Sequence, residues 1–181
     1  VLALIYGASM IRNEIDDRSI AHIITSPVDR RISYLGYYLP LVTVLCIVIT
    51  VITFAGGLLY MLISSNAGGG MEIILSFMVV MWLGVLAYSS IFLVLGVVMN
   101  QPLYLGLFFV FIWEGFIGSI PGAIGEYTIR HQLRVITADM VDYGSISSVQ
   151  GDAAISFVIL MAISIAFVII GAYAFREKEF A

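Results

Sequence analysis

Three stretches of this chain contain no Asp, Glu, Lys or Arg: Ile32–Met71, Ile73–Trp113 and Ala153–Phe175. An α-helix needs about 20 apolar residues to cross the hydrocarbon of a bilayer. Each stretch is long enough for at least one crossing, and the first two leave room for more. Barrel strands would show apolar–polar alternation over short segments, and that pattern is absent here. Composition agrees: 61% of the 181 residues are hydrophobic and 11% are charged, with a mean hydropathy of +1.08. A soluble domain carries about 25% charged residues, and its polar surface could not cover a core this apolar. Lipid is therefore the solvent for most of the chain, and the fold class is an all-α polytopic membrane protein.

The spans follow from the breaks between apolar runs. Residues 1–11 are too few to cross alone and read as the end of a helix that begins before Val1. Full spans are expected over 38–64, opening at Pro40, and then over 73–99, 103–120 and 153–175. Proline is tolerated in a first helical turn because its missing N–H would have no partner there. Asn66-Ala67-Gly68-Gly69-Gly70 and Asn100-Gln101-Pro102 read as turns. Residues 122–152 should lie outside the hydrocarbon as a re-entrant or amphipathic segment with short outer helices. Ile129, Leu133, Ile136 and Met140 recur at helical spacing, and Glu126 and Arg130 are placed for an i,i+4 pair.

Orientation follows the distribution of Lys and Arg in short loops. Arg12, Arg18, Arg30, Arg31, Arg176 and Lys178 fall on one side, against Arg130 and Arg134 on the other. Residues 12–37 and the C-terminus are thereby expected in the cytoplasm. The net charge of −4 argues against a nucleic-acid partner, which selects basic faces. Cys46, the only cysteine, falls inside a span and offers neither a disulfide nor a metal site. His22 and His131 stand apart from each other and from Cys46, so no metal-ligand cluster forms. No Gly-x-x-x-x-Gly-Lys-Ser/Thr loop is present to cradle nucleotide phosphates. Ser89-Ser90 lies in a span with no histidine or lysine in any span to activate it.

Eight of the chain's charged residues (Arg12, Glu14, Asp16, Asp17, Arg18, Asp29, Arg30, Arg31) crowd into residues 12–31, between apolar spans. Asp16 and Asp17 suit a helix N-terminus. Ile20, Ile23 and Ile24 then make one apolar stripe, and Pro27 stops the helix. Asp29 can cap the next helix, which leads from Arg30 into the membrane. The result is a short amphipathic helix at the membrane surface, suited either to a soluble partner or to anchoring alone.

Glu14-Ile15-Asp16-Asp17-Arg18-Ser19-Ile20, Ile23-Ile24 and Pro27-Val28-Asp29-Arg30 resemble a motif of ABC-2 type transporter permeases. Arg18 stands where that family prefers glycine, and Tyr37 where a lysine is common. The motif implies a cytoplasmic coupling helix, following the second membrane helix, that sits on an ATP-binding cassette subunit. Glu14, Asp16, Ser19, Ile20, Ile23, Ile24, Pro27, Arg30 and Arg31 would make that contact. By the same resemblance the chain is a permease, itself without catalytic residues or cofactor, with ATP and Mg on the partner subunit. A second permease chain and a prokaryotic plasma membrane are implied too. A non-transporting anchor or scaffold subunit is the other reading. A secondary transporter, which predicts broken helices in both halves, ranks last.

Glu114 is the one ionisable residue well inside an expected span. A carboxylate there costs about 2.5–3.5 kcal/mol or more on insertion scales, so it should face protein or water. Gly115, Gly118 and Pro121 follow, together with Gly122 and Gly125. They permit either close helix contact or a break whose freed backbone groups Glu114 could bind. Glu114 thus reads first as a structural clamp, and second as a substrate or proton site.

Overall fold

The computed structural model describes residues 2–7, 30–63, 70–99, 101–116, 118, 125–141 and 151–177, and among these there is no strand. In hydrocarbon every backbone N–H and C=O must be satisfied within its own segment, which leaves the helix as the economical solution. Five α-helices follow the short helical segment 2–7: α1 (Arg30–Ile63), α2 (Gly70–Val98), α3 (Pro102–Phe108), α4 (Ile129–Met140) and α5 (Ala153–Glu177). α3 runs directly into a π-helical turn, Phe109–Phe116, and a 3-10 turn, Gly125–Tyr127, precedes α4.

Among the described residues, three helices are long and apolar enough to cross a membrane: Ile32–Ile63, Gly70–Val98 and Ala153–Arg176. A fourth continuous span, expected over 103–120, is not among them. The apolar helix there covers only Pro102–Phe116. At 1.5 Å per residue it reaches about 22 Å, short of the roughly 30 Å hydrocarbon.

α1 starts at Arg30, where the helix following Asp29 was expected to begin, so Pro40 is interior to it and not in a first turn. Pro40 removes one N–H and crowds the carbonyl four residues back, at a cost of about 3 kcal/mol in an ordinary helix interior. Packing on both sides of Pro40 keeps the helix going. Tyr34 and Tyr38 precede Pro40 and are buried, and Leu41 and Leu45 follow it into the same cluster. Thus the last residues of the expected cytoplasmic segment 12–37 belong to this long helix. The coupling-helix residues Glu14, Asp16, Ser19, Ile20, Ile23, Ile24 and Pro27 lie outside the described residues, as do Pro121 and the turn at 66–69. Gly70, assigned to that turn by sequence, is the first residue of α2.

α2 is the central post, contacting α1, α4 and α5. From Ser89 to Val94 it is buried all round. α1 runs antiparallel to it, held by Tyr38 Oη donating to Leu86 O at 3.2 Å and Trp82 Nε1 donating to Thr50 Oγ1 at 2.9 Å. Two apolar clusters result. One gathers Leu4, Leu83, Phe92, Ile129, Ile136 and Leu160; the other gathers Tyr34, Tyr38, Leu45, Leu93, Val97 and Phe175. Lipid is as apolar as leucine, so these clusters are held by close packing and not by escape from water. The contacts are accordingly tight at glycines. A Cβ on Gly106 would fall on the Leu4 side chain, and one on Gly171 would fall on the Tyr34 ring. The outer half of α1 has large exposed apolar residues, with Leu62 and Ile63 more than 80% accessible, as suits a surface bathed in acyl chains.

Candidate functional site

The segment Phe109–Phe116 reads Phe-Val-Phe-Ile-Trp-Glu-Gly-Phe, and its one buried residue is the acid. Phe111, Trp113 and Phe116 are exposed, whereas Glu114 is 4% accessible. This inside-out arrangement makes sense only where lipid lies outside and polar groups lie within. A π turn fits one more residue into each turn than an α-helix does, which rotates Glu114 relative to the α3 register.

The carboxylate meets the start of α4. Oε1 accepts the backbone N–H of Ile129 at 3.1 Å, and Oε2 accepts that of Arg130 at 3.0 Å. Thr128 is the N-cap, its hydroxyl oxygen accepting from the His131 N–H at 3.2 Å. Three of the four N–H groups that a helix start leaves without intrahelical partners are thus satisfied by side chains. The Tyr88 hydroxyl, from α2, donates a further hydrogen bond to Glu114. Gln132 Nε2 donates to Glu126 O at 2.7 Å, tying the 3-10 turn back onto the helix. Gly118 lies against Thr128, where a Cβ would come within 3.4 Å of Oγ1, and Gly115 is half-buried within the π turn.

Magnitudes explain why an acid is tolerated here. Each hydrogen bond to a charged group contributes about 1.5–3 kcal/mol, and an anion at a helix N-terminus gains about 0.3–1 kcal/mol or somewhat more when buried. Together these offset the roughly 2.5–3.5 kcal/mol insertion cost of a carboxylate. Glu114 therefore splices two short helices that approach from different directions.

α4 does not lie across the end of the bundle. Ile129 and Ile136 are buried in the cluster that also holds Leu83, Ala87 and Ile91 of α2, with Leu133 packed against it. A Cβ on Gly84 would touch Leu133, and Val141 shares a cavity wall with Ile73, Ile74 and Phe77. α4 thus runs along α2 from the level of Tyr88 back toward its Gly70 end. The apolar stripe read from the sequence fits a cleft between helices, except that Met140 points out. The expected Glu126–Arg130 pair does not form: Glu126 belongs to the separate 3-10 turn, off the helical register that would face it to Arg130.

The exposed flank of α4, beside Leu133, is polar. Arg130 and Arg134 are exposed, His131 is half-buried, and Tyr127 before them is 78% accessible. Arg30 and Arg31 form the first turn of α1. Cys46 is partly buried and free, and its carbonyl accepts from Thr50 Oγ1 at 2.7 Å. In Ser89-Ser90, the Ser90 hydroxyl donates to Ala87 O at 2.7 Å. Among the described residues the buried Ser89 hydroxyl has no partner. Sequence reasoning had not singled out Tyr88 or Thr128. Thr128 carried a readable signal, a hydroxyl residue just ahead of a periodic apolar run. Tyr88 carried none, since its place is set by the fold.

No curated protein and no solved structure matches the chain. A family model described as "ABC-2 family transporter protein" matches residues 1–180. With nearly every residue covered by that match, and with membrane-length helices and an acid-anchored helix break in place, the chain belongs to the ABC-2 transporter family.

Proposed function

We propose that this chain is the membrane-spanning permease subunit of an ABC exporter, driven by ATP hydrolysis on a separate ATP-binding cassette subunit. The observation that carries this reading, beside family membership, is the pair of half-helices joined at Glu114. α3 with its π turn covers about 22 Å, and α4 adds about 18 Å at 1.5 Å per residue. In contact with α2 and joined at Glu114, the two pieces in series would together be long enough for a fourth crossing. The second piece turns Arg130 and Arg134 outward, and bare hydrocarbon at mid-bilayer would penalise each by about 2.5–3.5 kcal/mol. Such a face belongs against water or a polar cargo, and a mere anchor would have no use for it.

Residues 14–31 are the docking element, in the cytoplasm with the C-terminus. Glu14, Asp16 and Ser19 offer polar contacts, Ile20, Ile23 and Ile24 an apolar side, and Arg30 and Arg31 a basic end leading into α1. Closure of the ATPase on bound nucleotide would push on this element, and α1 would carry the displacement into the bundle as a rigid rod. Two such chains would form the pathway between them in a prokaryotic plasma membrane.

The test is co-purification with an ATP-binding cassette subunit expressed together with this chain, and ATP-driven flux in vesicles. Arg30→Glu with Arg31→Glu should lower both by about tenfold or more, the effect of reversing two interfacial charges. Unchanged complex and unchanged flux would sink the docking assignment.

A further inference from the structure

A groove of about 470 Å³ opens between α1, α2, the π turn and α4, lined by Leu45, Ile49, Val85, Tyr88, Val110 and Leu133 among others. Its volume lies within the range of small-molecule sites, about 300–1,000 Å³. Every lining side chain is apolar except for one hydroxyl, that of Tyr88. That hydroxyl is bound to Glu114, whose Oε2 also accepts the Arg130 N–H at the start of α4. Leu133 of the groove wall stands three residues after Arg130 and one before Arg134, so both arginines leave α4 beside the groove's edge.

Both arginines are exposed, and neither has an acidic partner among the described residues. Glu114, the nearest acid, is already taken by two amides and a phenol. Glu126 sits in the separate 3-10 turn, and Asp139 comes five residues after Arg134, far round the helix. A guanidinium is a fork of donors matched to carboxylate or phosphate oxygens. An apolar slot with two guanidiniums beside its edge, neither paired with an acid among the described residues, is complementary to a molecule that is apolar at one end and anionic at the other.

We propose that the groove and the Arg130–Arg134 face form one binding site for an anionic amphiphile, its acyl chain in the groove and its phosphate or carboxylate head on the arginines. This rests on the reading of the chain as a permease and names the substrate class of that same pathway.

The experiment uses the intact complex with its ATPase in nanodiscs, without nucleotide. The probes are phosphatidylglycerol and phosphatidylcholine, each carrying a photoreactive group in one acyl chain. Phosphatidylglycerol should cross-link to groove residues about tenfold more than phosphatidylcholine, the ratio given by one good charged contact. Arg130→Gln with Arg134→Gln should bring it down to the phosphatidylcholine level, whereas the Lys pair should keep most of it. Ile49→Trp, which fills the groove and leaves the arginines alone, should depress labelling by both lipids. Equal labelling by the two lipids, indifference to the Gln pair, or full displacement by inorganic phosphate would overturn the proposal. So would cross-links showing the arginine face covered by a second copy of this chain. Labelling is read without ATP, so lipid binding with no ATP-driven flux would remove the transport reading and leave the site standing.

Discussion

At the scale of single residues, Glu114 does two jobs with one carboxylate, and its variants separate them. Glutamine keeps one acceptor oxygen but turns an NH₂ toward the other amide, leaving that N–H buried and unpaired at about 1–3 kcal/mol. Alanine orphans both the Ile129 and Arg130 amides and strands the Tyr88 hydroxyl as well. Thermal unfolding in detergent should therefore rank wild type above Glu114→Gln, and Glu114→Gln well above Glu114→Ala. Thr128→Ala, which loses one cap, should fall by about 1 kcal/mol. An alanine variant as stable as wild type would show that the helix start does not depend on this acid. Sequence alone exposed Glu114, because one charge in so long an apolar run has to be accounted for. It could not name the donors, which come from 15 and 16 residues further on. Only the fold brings α4 back to the π turn.

At the scale of elements, apolar runs told which segments are helices but not how each one ends. Pro40 looked like a helix start, yet the packing of Tyr34 and Tyr38 extends α1 by more than two turns before it. The stretch 103–120 read as one span, and the π turn at Phe109–Phe116 inside it leaves no mark on hydropathy. The coupling motif at 14–30 was legible as a pattern of residues, independent of any packing. Helix contact supplies an element-scale prediction at the α1–α5 crossing. Tyr34 is fully buried, and its hydroxyl has no partner among the described residues. It lies directly over Gly171, with the Tyr34 and Phe175 ring centroids 6.2 Å apart. A buried hydroxyl without a partner costs about 1–3 kcal/mol, so Tyr34→Phe should be neutral or stabilising. Gly171→Ala forces a methyl into the ring and should destabilise by about 1–3 kcal/mol. Because the two residues touch, the double variant should recover part of that loss. Strict additivity in detergent unfolding would show that the contact is not made.

At the scale of the whole molecule, the bundle is built around α2, with two long helices packed against it and α3, its π turn and α4 on further sides. Long helices move as rods, whereas a crossing in two pieces can shift at its joint without dragging its neighbours. The joint here is polar and internally satisfied, and the far half presents arginines outward, so the far half should be reachable by water. That is measurable, because Cys46 is the chain's only cysteine and is easily replaced. In a Cys46→Ala background, Arg134→Cys should react with a membrane-impermeant thiol reagent added from outside. Ile165→Cys, on the exposed apolar surface of α5, should resist it, since a thiol in hydrocarbon seldom ionises and the thiolate is the nucleophile. Added to the cytoplasmic face of inverted vesicles, the same reagent should label Arg134→Cys far more slowly, unless ATP turnover opens the pathway to that side. Should Arg134→Cys stay as inert as Ile165→Cys from both sides, its face is sealed by lipid or protein. The half-helix would then be a structural brace and not part of a conduit.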